Sequence, residues 1–194
     1  YYSDPKSLLI FNDNHDMSRI FTQMKEDVSK TKIAVSLMLT LPRIPQILYG
    51  TEILMEDSAN PGDHGLIRTD FPGGWKNDKS NAFTGDNLED SQLEMQNYLK
   101  TLLNFRKNSK AIHKGETLHY APKDGIYLLS RKYEDEIVIY VVNKNDKSVN
   151  LDTDRFIEID ANGKIFTDIH TDKTYKWSGK IQIKNNSSFV LTNK

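Results

Sequence analysis

The spacing of apolar residues changes period once, near residue 115, and this change constrains the fold more than any other feature of the chain. Before it, short apolar runs alternate with longer segments of helical spacing. After it, short β-branched and aromatic runs recur with turns between them. A helical period followed by a period of two predicts an α/β part and then an all-β part. The expected division is 1–114 and 115–194.

In the second part, Thr117–Tyr120, Ile126–Tyr133, Ile137–Asn143, Val149–Leu151, Ile165–Ile169, Thr174–Trp177, Lys180–Ile183 and Phe189–Thr192 read as strands. Asp124-Gly125, Asn162-Gly163 and Ser178-Gly179 are hairpin signals. Short strands at this spacing over about 80 residues predict an antiparallel sandwich or barrel.

In the first part, Leu8-Leu9-Ile10-Phe11 is a continuous apolar run ending at Asn12-Asp13-Asn14-His15-Asp16. Such a run predicts a strand buried on both faces, as in a parallel sheet. Lys30 to Leu41 has helical spacing, with Asp27 or Ser29 as its cap, and Ile44 to Tyr49 reads as a second strand. Strand, helix, strand is a βαβ unit. Residues 55–90 form a long irregular stretch whose anchors Phe71, Trp75 and Phe83 favour an ordered, functional loop. Ser91 to Asn108 returns to helical spacing, with Asp90 or Ser91 as cap and Glu94 completing a capping box.

Composition excludes several function classes. Lys+Arg is 26 against Asp+Glu 27, which leaves no electrostatic footprint for nucleic acid. Cysteine is absent, so disulfides and thiolate chemistry are excluded. No apolar run approaches the ~20 residues of a membrane-spanning helix, and no membrane insertion is expected. The sequence holds no HxH or HExxH spacing, no GxSxG elbow, no phosphate loop and no EF-hand-like oxygen cluster. No metal and no cofactor are expected.

The residues with chemical potential follow the two apolar runs. Asn14, His15 and Asp16 stand where the first strand ends, the edge at which parallel α/β sheets carry their sites. The alternative is that Asn14 and Asp16 cap the next segment and His15 packs. After the second run come Glu52 and then Asp57, Asp63, His64, Arg68, Asp70 and Trp75. Carboxylates, an Arg and an exposed ring suit a sugar: hydroxyls take charge-assisted hydrogen bonds and the apolar sugar face stacks on a ring.

Phe11-Asn12-Asp13-Asn14-His15-Asp16 resembles the last signature motif of the α-amylase family of glycoside hydrolases, at the end of barrel strand seven. Ile44-Pro45-Gln46-Ile47-Leu48-Tyr49-Gly50-Thr51-Glu52 resembles strand eight of that barrel. The stretch from Gly62 to Trp75 is similar to the neopullulanase and cyclomaltodextrinase branch. The resemblance implies the C-terminal part of a (β/α)8 barrel, with strands 7–8 and helices, followed by an antiparallel β-sandwich. It implies an enzyme acting on α-1,4 and α-1,6 glucosidic bonds of starch-derived oligosaccharides, in the periplasm or cytoplasm of a bacterium. By resemblance Asp16 is the carboxylate that stabilises the transition state. His15 and Asn14 bind substrate beside it, Asp63 and Arg68 form a sugar-binding pair, and Trp75 is a stacking platform.

A retaining glycosidase needs a nucleophile and an acid/base about 5–5.5 Å apart. The only Arg-x-Asp here is Arg68-Thr69-Asp70, after the second strand rather than in the family's nucleophile position. A complete barrel needs about 250 residues, more than the 194 present. The chain therefore reads as a C-terminal piece, inactive alone, with an α-glucan oligosaccharide as partner and exposed barrel edges that self-associate. The alternatives are a non-catalytic carbohydrate-binding protein, or a β module with a passenger barrel piece.

Overall fold

The structure is a computed structural model and describes residues 3–194, so Tyr1 and Tyr2 of the expected first domain lie outside the described residues. The chain divides into two compact units, Tyr1–Ala34 with Arg43–Lys100, and Val35–Pro42 with Thr101–Lys194.

The first unit carries the short strands β1 (Leu9–Ile10) and β2 (Ile44–Pro45), which pair in parallel with Leu9 opposite Ile44. Between them in sequence lie helices α1 (Ile20–Gln23) and α2 (Val28–Thr40), giving the expected βαβ order. The expected burial of these strands on both faces is corrected. Leu9 is 60% exposed and Ile44 is 49% exposed, because no third strand joins the pair among the described residues. The expected strand over Ile44–Tyr49 also stops at Pro45. Helix α2 starts as expected at Asp27, whose Oδ1 accepts the Lys30 N–H at 3.0 Å. Its fully buried positions are Thr31, Val35 and Leu39, one helical stripe, with Ser36 and Thr40 along its side.

Helix α3 (His64–Ile67) and helix α4 (Asp90–Asn108) follow. Along α4, Met95, Leu99, Leu102 and Arg106 are buried at helical spacing. The expected capping box through Glu94 is corrected. Gln92 Oε1 accepts the Glu89 N–H at 2.9 Å, while Glu94 lies in an ion pair with Lys32 at 2.6 Å. The box needs its reaching side chain three residues after the cap, and with Glu89 at the cap that residue is Gln92.

The second unit contains residues 35–40 of α2 and 101–108 of α4, then α5 (Lys110–Lys114) and all eight expected strands: β3 (Glu116–Lys123), β4 (Ile126–Tyr133), β5 (Glu136–Asn143), β6 (Val149–Asp152), β7 (Ile165–Asp168), β8 (Thr174–Lys176), β9 (Lys180–Ile183) and β10 (Ser187–Thr192). A six-stranded antiparallel sheet has the order β3-β4-β5-β10-β7-β8, and β6 pairs antiparallel with β9. The core contains Leu128, Ile139 and Leu191 from the large sheet, Leu151 and Ile183 from the small one, and Phe156 from the 3-10 helix Thr153–Ile159. Trp177 packs there, its ring centroid 5.7 Å from that of Phe166. The arrangement is an antiparallel β domain of the sandwich kind.

Only one of the three hairpin signals joins paired strands. Asp124 and Gly125 have φ of 52° and 76°, as a two-residue type I′ turn requires, and link β3 to β4. Ser178-Gly179 leads from one sheet to the other, and Asn162-Gly163 precedes β7 without joining paired strands. The tight β4–β5 turn is built instead at Glu134-Asp135, where Glu134 takes φ of 50°.

Candidate functional site

The site is assembled from segments of the first unit that follow β1 and β2. After β1 the chain turns sharply. Asn14 Oδ1 accepts the Asp16 N–H at 2.8 Å, so the capping role weighed for Asn14 is present, but it serves to present His15 and Asp16 outward. Both side chains are exposed, with His15 Nε2 3.2 Å from Asp16 Oδ2.

Arg68, directly after α3, closes the cluster. Its Nη2 donates to Asp16 Oδ1 at 2.8 Å and its Nε donates to the His15 carbonyl at 2.9 Å. His64 Nδ1 lies 3.0 Å from the same Nη2. One guanidinium thus grips a carboxylate and the backbone beside it, from residues 52 and 53 positions away in sequence. A cation locked to a carboxylate at an open edge is suited to bind hydroxyls and to oppose positive charge developing on a ligand.

Beneath this exposed cluster lies a buried polar frame. Arg19 is fully buried and donates to the Ile67 carbonyl through Nε at 2.9 Å and Nη2 at 2.6 Å, and to the Tyr49 carbonyl through Nη1. Its guanidinium carbon stands 4.9 Å from the Tyr49 ring centroid. Asp57 is also buried. It accepts the Ser18 hydroxyl at 2.8 Å, the Arg19 N–H at 3.0 Å and the Gly62 N–H at 2.7 Å. Burial pushes its carboxyl up, but the Gly62 N–H, the Thr22 and Ser18 hydroxyls and the Arg19 N–H outweigh it and hold it below the usual carboxylate range. Asp13 accepts the Ile20 N–H at 2.6 Å, and here burial dominates and raises the carboxyl.

The residues singled out in the sequence do not all come together. Asn14, His15, Asp16 and Arg68 come together. Asp63 does not pair with Arg68 among the described hydrogen bonds; its Oδ1 caps α3, taking the Gly65 N–H at 2.7 Å and the Leu66 N–H at 3.3 Å, and these donors lower its pKa. Trp75 is exposed and lines a separate depression of 390 Å³. Asp57, grouped with the sugar-facing carboxylates by sequence, is a buried structural acceptor, because its donors are the Ser18 hydroxyl and the backbone N–H groups of Arg19 and Gly62, a pairing that sequence does not display. Arg19 does not stand out in the sequence, because its partners are the main-chain carbonyls of Ile67 and Tyr49. Among the described residues no group of three or more His, Asp or Glu is placed to hold a metal ion.

In the second unit the notable polar feature is Glu136, which accepts the Ser109 hydroxyl at 2.5 Å and the Lys110 N–H at 3.1 Å at the start of α5. Both contacts cap a helix and link it to β5, a structural role.

Residues 117–192 match the family model described as the cyclo-maltodextrinase C-terminal domain. The chain is 30% identical to an amylopullulanase of Thermoanaerobacter thermohydrosulfuricus over 91% of its own length and 12% of the relative's. It is 24% identical to the intracellular maltogenic amylase of Bacillus subtilis over 95% of its length and 29% of that protein's. It shares its fold, with a TM-score of 0.73 over 98% of the chain, with 40% of the α-amylase of Geobacillus thermoleovorans solved in complex with acarbose, at 23% identity. The chain spans between 12% and 30% of the length of the curated relatives it matches.

Proposed function

This chain belongs to the α-amylase family of glycoside hydrolases, and from that premise we propose that it supplies the transition-state-stabilising rim and the C-terminal β domain of a retaining α-glucan hydrolase. In this reading residues 1–114 are the C-terminal portion of the (β/α)8 barrel, with β1 and β2 as strands seven and eight, and residues 115–194 are the β-sandwich. The substrate is a starch-derived oligosaccharide. The amylopullulanase and maltogenic amylase relatives, and the acarbose complex of the structural relative, support that substrate class.

The observation that carries the reading is the Arg68–Asp16–His15 cluster after β1. Asp16 offers a fixed carboxylate to the positive charge that grows on a sugar ring as its glycosidic bond breaks. Arg68 holds that carboxylate through Oδ1 and His15 Nε2 lies 3.2 Å from Oδ2, so the exposed pair of Asp16 and His15 meets sugar hydroxyls as one unit. Asn14 sets the turn that presents them. Asp63 acts through the placement of α3, and so of Arg68. The nucleophile and the proton donor belong to parts of the parent protein outside residues 1–194.

The test is direct. The purified chain, incubated with pullulan, cyclodextrin and a chromogenic maltoside, releases no product, since covalent and acid–base catalysis are both lost. Product formation by the pure chain overturns the reading.

A further inference from the structure

Trp75 stands apart from the Asp16 cluster. Its indole is 67% exposed and lines a depression of 390 Å³ together with Asp78, Lys79, Asn81, Asp86 and Asn87. None of His15, Asp16, Asp63 or Arg68 is part of that lining. The volume falls near the low end of the about 300–1,000 Å³ of small-molecule sites, room for a short saccharide.

The depression is formed by an ordered loop. Asp78 Oδ2 accepts the Gly73 N–H at 2.7 Å and the Trp75 N–H at 3.0 Å, fixing the backbone that carries the indole. Gly73 has φ of 103°, and a Cβ there would meet Asn81 Oδ1 at 2.4 Å, so the turn needs glycine. Asn81 N–H donates to the Asp86 carbonyl at 2.8 Å, and Asn87 Nδ2 donates to the Lys79 carbonyl at 2.8 Å, which closes the rim. Gln96 of α4 anchors the loop by donating to the Ala82 carbonyl at 2.9 Å.

We propose that this depression is a second glucan-docking site, separate from the Asp16 cluster, in which the Trp75 face stacks on a glucosyl ring and the surrounding amide, carboxylate and ammonium groups take its hydroxyls. The chemistry selects a neutral polyhydroxylated ligand. Two carboxylates, Asp78 and Asp86, and two ammonium groups, Lys76 and Lys79, share the rim, so no single charge dominates, and the one aromatic surface is a flat indole, which matches the C–H face of a pyranose. The inference rests on the α-glucan reading above, but its test does not need hydrolysis.

Only two tryptophans exist, and Trp177 is 2% exposed against 67% for Trp75, so the readily quenched fraction in an acrylamide titration, confirmed by its loss in Trp75→Ala, reports Trp75. Maltoheptaose added to the full chain shields Trp75 from acrylamide, and Asp16→Asn leaves the titration unchanged. Trp75→Tyr, followed by NMR titration of the loop amides, retains binding, and Trp75→Ala weakens it about tenfold, the scale of losing one stacked ring. Absence of shielding in the folded chain overturns the proposal. Loss of shielding in Asp16→Asn also overturns it, by placing Trp75 in the Asp16 subsite and leaving the α-glucan reading intact. Equal shielding by cellohexaose refutes the α-glucan assignment itself.

Discussion

Arg19 offers the sharpest test of how the site is held. Its side chain donates to the carbonyls of Ile67 and Tyr49 and stacks on the Tyr49 ring. Arg19→Met preserves length and apolar volume but removes every donor. Two acceptors then lose their partner, and Ile67 is fully buried. An orphaned buried acceptor costs about 1–3 kcal/mol, so the loss is about 2–6 kcal/mol in the first unit. The deficit depends on pH through Asp13, which is raised by burial and lowered by the Arg19 charge. Without Arg19 its folded pKa rises further above its unfolded value. A carboxyl raised in the folded state favours folding while protonated, and that advantage is lost as pH rises through the folded pKa. The deficit of Arg19→Met is therefore larger at pH 7 than at pH 4. Amide hydrogen exchange resolves the effect locally, since the Ile67 N–H bonds to the Asp63 carbonyl and the Arg68 N–H bonds to that of His64. Protection at Ile67 and Arg68 falls in Arg19→Met and is partly restored in Arg19→Lys. Unchanged protection at both amides, with a stability loss below about 1 kcal/mol, refutes the assignment of Arg19 as the clamp beneath Arg68.

Asp57 titrates with the opposite sign: its folded pKa lies below its unfolded value, so its contribution is present above the unfolded pKa and is lost as pH falls through the folded one. Asp57→Asn accordingly flattens the acid limb of the first unit's stability curve, and an unaltered limb in urea titrations below about pH 4 rejects this. In the second unit, Phe166→Ala empties a fully buried site beside Trp177 and costs about 3–5 kcal/mol, read from Trp177 fluorescence during denaturation; a loss under about 1.5 kcal/mol shows that the core relaxes around the cavity. The exposed Leu9, Phe11 and Ile44 around β1 and β2 lead to self-association of the chain, seen as a mass above the monomer in light scattering, and a strictly monomeric species at high concentration contradicts it.

The β domain was legible because its strands alternate or run continuously apolar. In β9, Ile181 and Ile183 are buried while Lys180 and Gln182 are exposed, the period of two seen in the sequence. Turns were legible only where residue type carries the backbone requirement. Asp124-Gly125 does so, whereas Glu134 takes positive φ with no compositional sign. The first unit was harder to read. The run Leu8–Phe11 looks like a doubly buried strand, yet burial depends on neighbours that no local pattern encodes. At the site, Asn14, His15, Asp16 and Arg68 were visible as charged and polar residues at strand exits. Arg19 was not, since its partners are main-chain carbonyls, and Asp57 was misread because a carboxylate serving N–H donors has the same letter as one facing a sugar.

The two arginines of the site show why regular structure contributes so little to its geometry. β1 and β2 have two residues each and α3 has four, too few hydrogen bonds to fix side chains with the precision that binding requires. Position comes instead from side chains that bond to backbone across distant segments. Arg19 gathers the carbonyls of Tyr49 and Ile67, and Asp57 gathers the N–H groups of Arg19 and Gly62 together with the Ser18 hydroxyl. Together they tie the segment after β1 to the segment ending in α3. Arg68 then needs no burial of its own. It emerges from a fixed backbone, next to Ile67, already within 2.8 Å of Asp16. Such an arrangement separates two demands that one guanidinium could not meet. The buried Arg19 holds the geometry at the expense of desolvation, while the exposed Arg68 keeps its charge at the open edge where a ligand arrives.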